Sequence, residues 1–301
     1  MLSMLLIALV IVLYSFQTLF CRLYNKAYPG SEDVSPFVYC VYYGVFVSVA
    51  TFLFGGCKFD PSWQTVLFGL LNACALLLYN ITLIKATSLG SYAIANLSLL
   101  SGGILIPLLE SVLIFGGSLK GIQYFGIFLM LAAFAFLNAD GLTKKKSEKA
   151  SKTNRMFYVY CALLFLANGA YGAFFNAQQK ILQEAERTEM IILTFLPSAL
   201  MGLLLVLSKA KKAALSCFRQ TRLSTLHLIL CCISATVAIN LLVYIMSLVD
   251  VAVLFTVENG GVLIMSALYA TFLFKEKLTL PKIIGLIIAV VSMVLLGYAS
   301  V

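Results

Sequence analysis

Apolar runs of about twenty residues punctuate the chain, and two of them are joined by little more than a turn. Between Asp250 and Tyr298 the sequence reads DVAVLFTVENGGVLIMSALYATFLF, then the charged turn KEKLTLPK, then IIGLIIAVVSMVLLGY. A helix rises about 1.5 Å per residue, so each run is long enough to cross the roughly 30 Å hydrocarbon core of a bilayer. A chain of 301 residues with 62% hydrophobic and 11% charged residues lies far outside the soluble globular range. It is expected to be an all-α polytopic membrane protein.

Ten such spans can be counted, at about 3–20, 34–54, 62–86, 91–115, 120–138, 156–180, 189–208, 223–247, 250–274 and 280–299. Charge, Pro or Gly bounds each of them. The first begins at residue 2 with no charged segment or cleavage site before Arg22, and is expected to stay as a span. Between the fifth and sixth lies ADGLTKKKSEKASKTN, the most polar and basic stretch. It divides the chain into residues 1–138, a basic linker at 139–155, and residues 156–301. Of the 21 lysines and arginines, only Lys58, Lys120, Lys180 and Arg187 fall in even-numbered connections. Positive charge marks the cytoplasmic side, which puts both termini outside, with the plasma membrane as the expected location. The net charge of +9 is then explained by topology, with anionic lipid as its neighbour and no nucleic acid as partner.

The second half carries a degenerate copy of the first. Gly102 and Gly103 fall on Gly260 and Gly261, Phe115 near Phe274, Gly126 on Gly285, Asn80 on Asn240 and Ser88 on Ser247. An odd number of spans separates equivalent segments, so the copies are expected to run in opposite directions through the membrane.

The turn Lys275-Glu276-Lys277-Leu278, followed by Gly285 and Gly297 in an apolar helix, resembles the end of an EamA-like domain, the repeating unit of the drug/metabolite transporter superfamily. The resemblance implies ten transmembrane helices in two inverted five-helix repeats, and a transporter more often exporting than importing. The chain departs from the pattern at Gly117 where the second copy has Glu276, at Met265 where the first has Pro107, and at Tyr14-Ser15 where many members carry Trp-Gly. These changes bear on substrate subfamily more than on fold.

Glu110 and Glu258 are the only carboxylates well within the spans. Each costs about 2.5–3.5 kcal/mol or more near a bilayer centre, so each is expected to face the bundle interior or a cavity. Counted from the helix ends, both lie roughly 9–12 Å below the same face and are expected to share a compartment. Tyr92, Asn96, Gly103, Pro107 and Glu110 fall on one stripe of the fourth span, and Glu258, Val262, Met265 and Tyr269 on one stripe of the ninth. Such stripes line a cavity or form a seam between helices, and for Tyr92 and Tyr269 the two readings weigh equally. The sixth span contributes Asn168, Tyr171, Phe175 and Gln179, and the third and eighth contribute Asn80 and Asn240, groups suited to a polar organic solute. The pairs Gly102-Gly103 and Gly260-Gly261, with Ser98 and Thr256 four residues before the first glycine of each, predict a close mid-depth crossing of the fourth and ninth spans.

No HExxH, GxSxG or Walker-type motif is present, so no enzyme, cofactor or metal is expected, and transport has to draw on a gradient. The eight cysteines, without metal-ligand spacing, read as small core residues, and His227, the only histidine, as structural. The expectation is a secondary active transporter of a small organic metabolite or drug, a monomer or homodimer, with the proton as candidate coupling ion and Glu258 as its carrier. The alternative is a lipid-linked-carrier flippase or accessory subunit of the same superfamily.

Overall fold

The computed structural model describes residues 2–116, 120–143, 148–182, 186–211, 214–246, 248, 251–276 and 279–298. Gly117, the linker lysines 144–146, Lys277 and Leu278 lie outside the described residues, as does the side chain of Thr256. Among the described residues the chain is helical throughout, with no strand. The helices are α1 (Leu2–Ala27), α2 (Ser35–Phe54), α3 (Trp63–Leu89), α4 (Tyr92–Leu113), α5 (Gly121–Thr143), α6 (Glu148–Ile181), α7 (Arg187–Ala210), the single turn α8 (Ala214–Cys217), α9 (Arg222–Met246), α10 (Val251–Phe272) and α11 (Leu280–Tyr298). The predicted eighth, ninth and tenth spans are therefore α9, α10 and α11.

Hydrocarbon offers the backbone no hydrogen-bond partner, so a spanning segment has to satisfy its N–H and C=O groups within itself. Among the described residues seven helices are long and apolar enough to cross a membrane, and two shorter apolar segments occur at Gly121–Met130 and Ile283–Leu295. This is an integral, multi-pass membrane protein. Within the basic stretch α5 continues to Thr143 and α6 already begins at Glu148. Glu148 to Met156 contains strong helix formers and no Gly or Pro, so nothing there stops the helix.

The connections sort onto two ends. At one, Lys85 Nζ lies 2.7 Å from Asp33, Tyr28 Oη donates to the Cys217 carbonyl at 2.7 Å, and Ser91 Oγ donates to Glu276 at 2.8 Å. The first, third, seventh and ninth connections therefore meet there. At the other end Ser62 Oγ donates to Glu186 at 2.9 Å, Arg187 reaches the Val243 carbonyl at 3.1 Å, and the Lys180 ammonium sits 4.4 Å from the centre of the Phe115 ring. Both end lysines thus have partners: Lys85 a carboxylate whose pKa its hydrogen bond lowers, Lys180 an aromatic face.

Packing partners are definite. Helix α1 lies along α9, α3 along α6, and α2 along α7. Helix α4 lies along α6, and α10 touches α1, α4 and α11. Helices α5 and α11 pair with each other. Small residues make the closest approaches, as expected where lipid supplies no hydrophobic drive between helices. A Cβ on Gly44 of α2 would stand 2.5 Å from the Phe195 carbonyl oxygen of α7, and one on Gly102 of α4 would collide with the Phe165 backbone of α6.

Since a neighbouring backbone cannot swing aside, Gly102→Ala is expected to lower stability by about 1–3 kcal/mol, read as earlier melting in detergent. Gly121→Ala, whose new methyl meets nothing within 4 Å, is expected to stay within about 0.5 kcal/mol of the parent. Equal melting of the two variants would contradict the close α4–α6 contact.

Candidate functional site

Glu258 stands on α10, seven residues after its start, and is 6% exposed. Its carboxylate lines a cavity of about 120 Å³ to which eight helices contribute: α1, α2, α3, α4, α6, α7, α9 and α10. The peripheral pair α5 and α11 supplies no lining residue. Around the acid stand Tyr14 and Gln17 of α1, Tyr43 of α2, Tyr79 of α3, and Asn168, Tyr171 and Phe175 of α6. Phe195 of α7 and Asn259 of α10 also line the cavity. No lysine or arginine is among the lining residues.

The wall is held by its own hydrogen bonds. Gln17 Nε2 donates to the hydroxyls of Tyr43 and Tyr79, each at 3.4 Å. Asn168 Nδ2 donates across to the Leu99 carbonyl of α4 at 2.8 Å, and Asn259 Nδ2 donates to Phe255 one turn earlier at 2.7 Å. Pro107 has no N–H, so the Gly103 carbonyl, four residues earlier, loses the donor a regular helix would give it. That oxygen faces α6, 3.8 Å from where a Cβ on Gly172 would stand, and Gly103 itself lines the cavity.

One end of the bundle is closed by a second carboxylate, Glu276, in the turn between α10 and α11. Its Oε1 is 2.8 Å from Arg22 Nη1 and 2.9 Å from the Tyr92 backbone nitrogen, while its Oε2 accepts from Ser91 Oγ. Tyr92 N is one of the unpaired donors at the start of α4, so a residue distant in sequence caps that helix and complements its dipole. The Arg22 guanidinium lies 3.8 Å from the centre of the Phe274 ring and 5.2 Å from that of Tyr92. The C-terminal part of α1, the start of α4 and the turn after α10 are thereby tied together.

The structure divides the residues expected from sequence. Glu258, Asn168, Tyr171, Phe175, Val262 and Gly103 line the cavity, and the others do not. Glu110 is outside the lining; it accepts from Asn176 Nδ2 at 3.1 Å and has Lys180 as its charged neighbour, so the two acids do not share a compartment. Tyr92 bonds Thr18 at 2.8 Å and Tyr269 meets Ser15 at 3.2 Å, both at seams with α1, while Asn96 returns its amide to the Tyr92 carbonyl of its own helix. Gln179 accepts from Arg187 at 3.1 Å, Asn240 donates to Thr51 and Thr236, and Asn80 is fully buried outside the lining. The glycine pairs also part company. Gly102 packs on α6 and Gly261 on Ile11 of α1, while Gly103 looks into the cavity toward Asn168 and Gly260 toward Met293 of α11. Their tightest approaches are thus not to each other, because a neighbouring glycine on one helix points 100° away from the first. His227, read as structural, stacks on Phe20 with ring centres 6.2 Å apart.

Sequence reasoning missed Tyr14, Gln17, Tyr43, Tyr79 and Phe195. Two signals were available: Tyr14, Gln17 and Thr18 lie on one face of α1 at helical spacing, and Tyr79 directly precedes the singled-out Asn80.

Residues 158–298 match the EamA-like transporter family. No curated protein sequence matches the chain. A solved crystal structure superposes with a TM-score of 0.63 at 15% identity, covering 97% of this chain and 96% of that one, a likeness of fold. The matched stretch supplies Glu258, Glu276, Asn168 and Tyr171, whereas Tyr14, Gln17, Tyr43, Tyr79 and Gly103 come from before it. Neither half of the chain encloses the cavity alone.

Arg22 and Glu276 are 12% and 17% exposed at their side chains, and removing the charge of one strands the other in a largely dry contact. Glu276→Gln is therefore expected to cost about 1–3 kcal/mol of stability in detergent. Asp33→Asn, which breaks a pair whose acid is 80% exposed, is expected to leave melting nearly unchanged. Melting of Glu276→Gln at the parent temperature would show that the turn is not tied through this carboxylate.

Proposed function

We propose that this chain is a secondary active transporter that carries a small organic metabolite or drug through the cavity around Glu258. The observation that carries the reading is a buried carboxylate with no basic partner, in a cavity whose wall is drawn from both halves of the chain. In a membrane protein such an acid is a functional group by default, since a merely structural one is better served by a bonded partner. Glu110 has such a partner in Asn176.

The architecture proposed is ten transmembrane helices in two inverted EamA-like repeats, residues 1–138 and 156–301, joined by the basic stretch at 139–155. Exchanging the halves maps α1 onto α6, α3 onto α9 and α4 onto α10. The pairing of α1 with α9 then becomes that of α6 with α3, and α4 with α6 becomes α10 with α1. All four pairings occur, which supports the repeat. The grouping of odd connections at one end, together with their excess of Lys and Arg, supports a cytoplasmic odd end and termini outside a plasma-type membrane. A reporter fused after Val301 is expected to be accessible from outside intact cells; a cytoplasmic signal would reverse the orientation.

The cycle proposed is alternating access with export coupled to proton entry. The end held by Arg22 and Glu276 is closed here, and the reverse state requires that contact to part. Glu258, faced by Tyr14, Tyr79 and Tyr171 and by no basic side chain of the lining, would take a proton from one side and release it to the other. Glu258→Gln is expected to abolish pH-driven transport in proteoliposomes while leaving the protein folded, and Glu110→Gln to have the smaller effect. A fully active Glu258→Gln, or transport indifferent to a pH gradient, would return Glu258 to a structural role. The same cavity argues against a flippase or accessory subunit, because its wall is assembled from eight helices rather than opened along one seam.

A further inference from the structure

We infer that the cavity takes a small organic ammonium ion, a protonated amine carrying an apolar group about the size of one aromatic ring, with Glu258 as its counter-charge. The inference deepens the reading of this cavity as the solute site and rests on it.

Charge balance is the first ground. Glu258 is 6% exposed, lines the cavity, and has no hydrogen-bonding or ionic partner among the described residues. An ionised carboxylate in that position lacks compensation, which a bound cation supplies. A carboxylate or phosphate ligand would instead bring a second negative charge into a wall with no lysine or arginine to receive it.

The polarity of the neighbouring groups is the second ground, and it is independent of the first. Asn168 and Asn259 each donate one N–H of Nδ2 to a backbone carbonyl, which fixes how each amide is turned; the amide oxygen accepts, and the second N–H of each nitrogen remains a donor. The Asn259 oxygen lies 3.6 Å from where a Cβ on Gly103 would stand. Glu258 adds carboxylate oxygens, and Pro107 frees the Gly103 carbonyl. This side of the cavity thus presents the carboxylate oxygens of Glu258, the Gly103 carbonyl and the Asn259 amide oxygen as acceptors for the N–H donors of an ammonium group.

The rest of the wall fits the remainder of such a ligand. Tyr14, Tyr79, Tyr171 and Phe175 present aromatic surface, and Tyr14 is an electrostatic neighbour of Tyr171, Tyr79 and Glu258. Rings near a desolvated cation attract it through their quadrupole. A cavity of about 150 Å³ accommodates benzene, so the roughly 120 Å³ here matches a single-ring body in size.

The test is equilibrium binding by titration calorimetry on the full chain in detergent, at neutral pH and without any gradient. The probes are three single-ring compounds of similar size: 2-phenylethylammonium, neutral 2-phenylethanol and the anion phenylacetate. The ammonium ion is expected to bind about tenfold or more tighter than the alcohol, and the anion weakest. Glu258→Gln is expected to remove that preference while holding 2-phenylethanol within about twofold, which also reports that the variant is folded; Glu258→Asp, keeping the charge, is expected to retain it. Wild-type protein binding the alcohol as tightly as the ammonium ion, or Glu258→Gln keeping the cation preference, would overturn the inference. Separate flux measurements in proteoliposomes distinguish the two failures. Glu258-dependent cation binding without flux sinks the transporter reading and leaves the cation site. Flux of a neutral or anionic solute without cation preference sinks the cation site and leaves the transporter.

Discussion

Every spanning backbone in this protein has to bond to itself, because lipid cannot bond to it, and the remainder of the architecture follows from that constraint. It makes the chain helical and confines helix ends to the two faces. It also makes each polar side chain within a span choose between another helix and a cavity. Most choose another helix. Tyr92 bonds Thr18, Asn240 bonds Thr51 and Glu110 accepts from Asn176, so these groups hold seams. Glu258 makes no such choice, and the cavity forms around it.

The two carboxylates on the C-terminal helices divide the labour. Glu276 is saturated, taking an arginine, a serine hydroxyl and a backbone N–H from three separate places in the chain. A group with that many partners fixes an end of the bundle, and its bonds have to break together before the elements separate. Glu258, about five helical turns away along the chain, has no such partner among the described residues and lines the cavity.

Glycines govern how close the helices come, and the partner of each depends on a 100° step around the helix. Gly102 and Gly103 are neighbours in sequence, yet one is pressed on the α6 backbone and the other faces the cavity. Gly260 and Gly261 likewise point to α11 and to α1. On α4 the pair thus gives one packed face and one that borders the cavity, whereas on α10 the two glycines serve contacts with two different helices.

The sequence by itself determined the class of fold, the positions of the long helices, the alternation of charge between the two sides, and the candidacy of Glu258, because hydropathy and the cost of a buried charge are local properties of residues in lipid. It also pointed to Asn168 and Tyr171 through the polar face of one helix. It could not tell a seam from a cavity wall: Tyr269 and Glu258 share a stripe on α10, yet Tyr269 meets Ser15 of α1. It placed Glu110 and Glu258 at one depth and so in one compartment, but depth fixes height along a helix and leaves rotation about it undetermined. Only the tertiary structure decided that Asn176 faces Glu110, that Glu276 reaches back to Arg22 and Tyr92, and that Tyr14, Tyr43 and Tyr79 converge on the remaining acid. Those are contacts between residues tens to hundreds of positions apart, set by which helices pack together, and no periodicity within a single span encodes them.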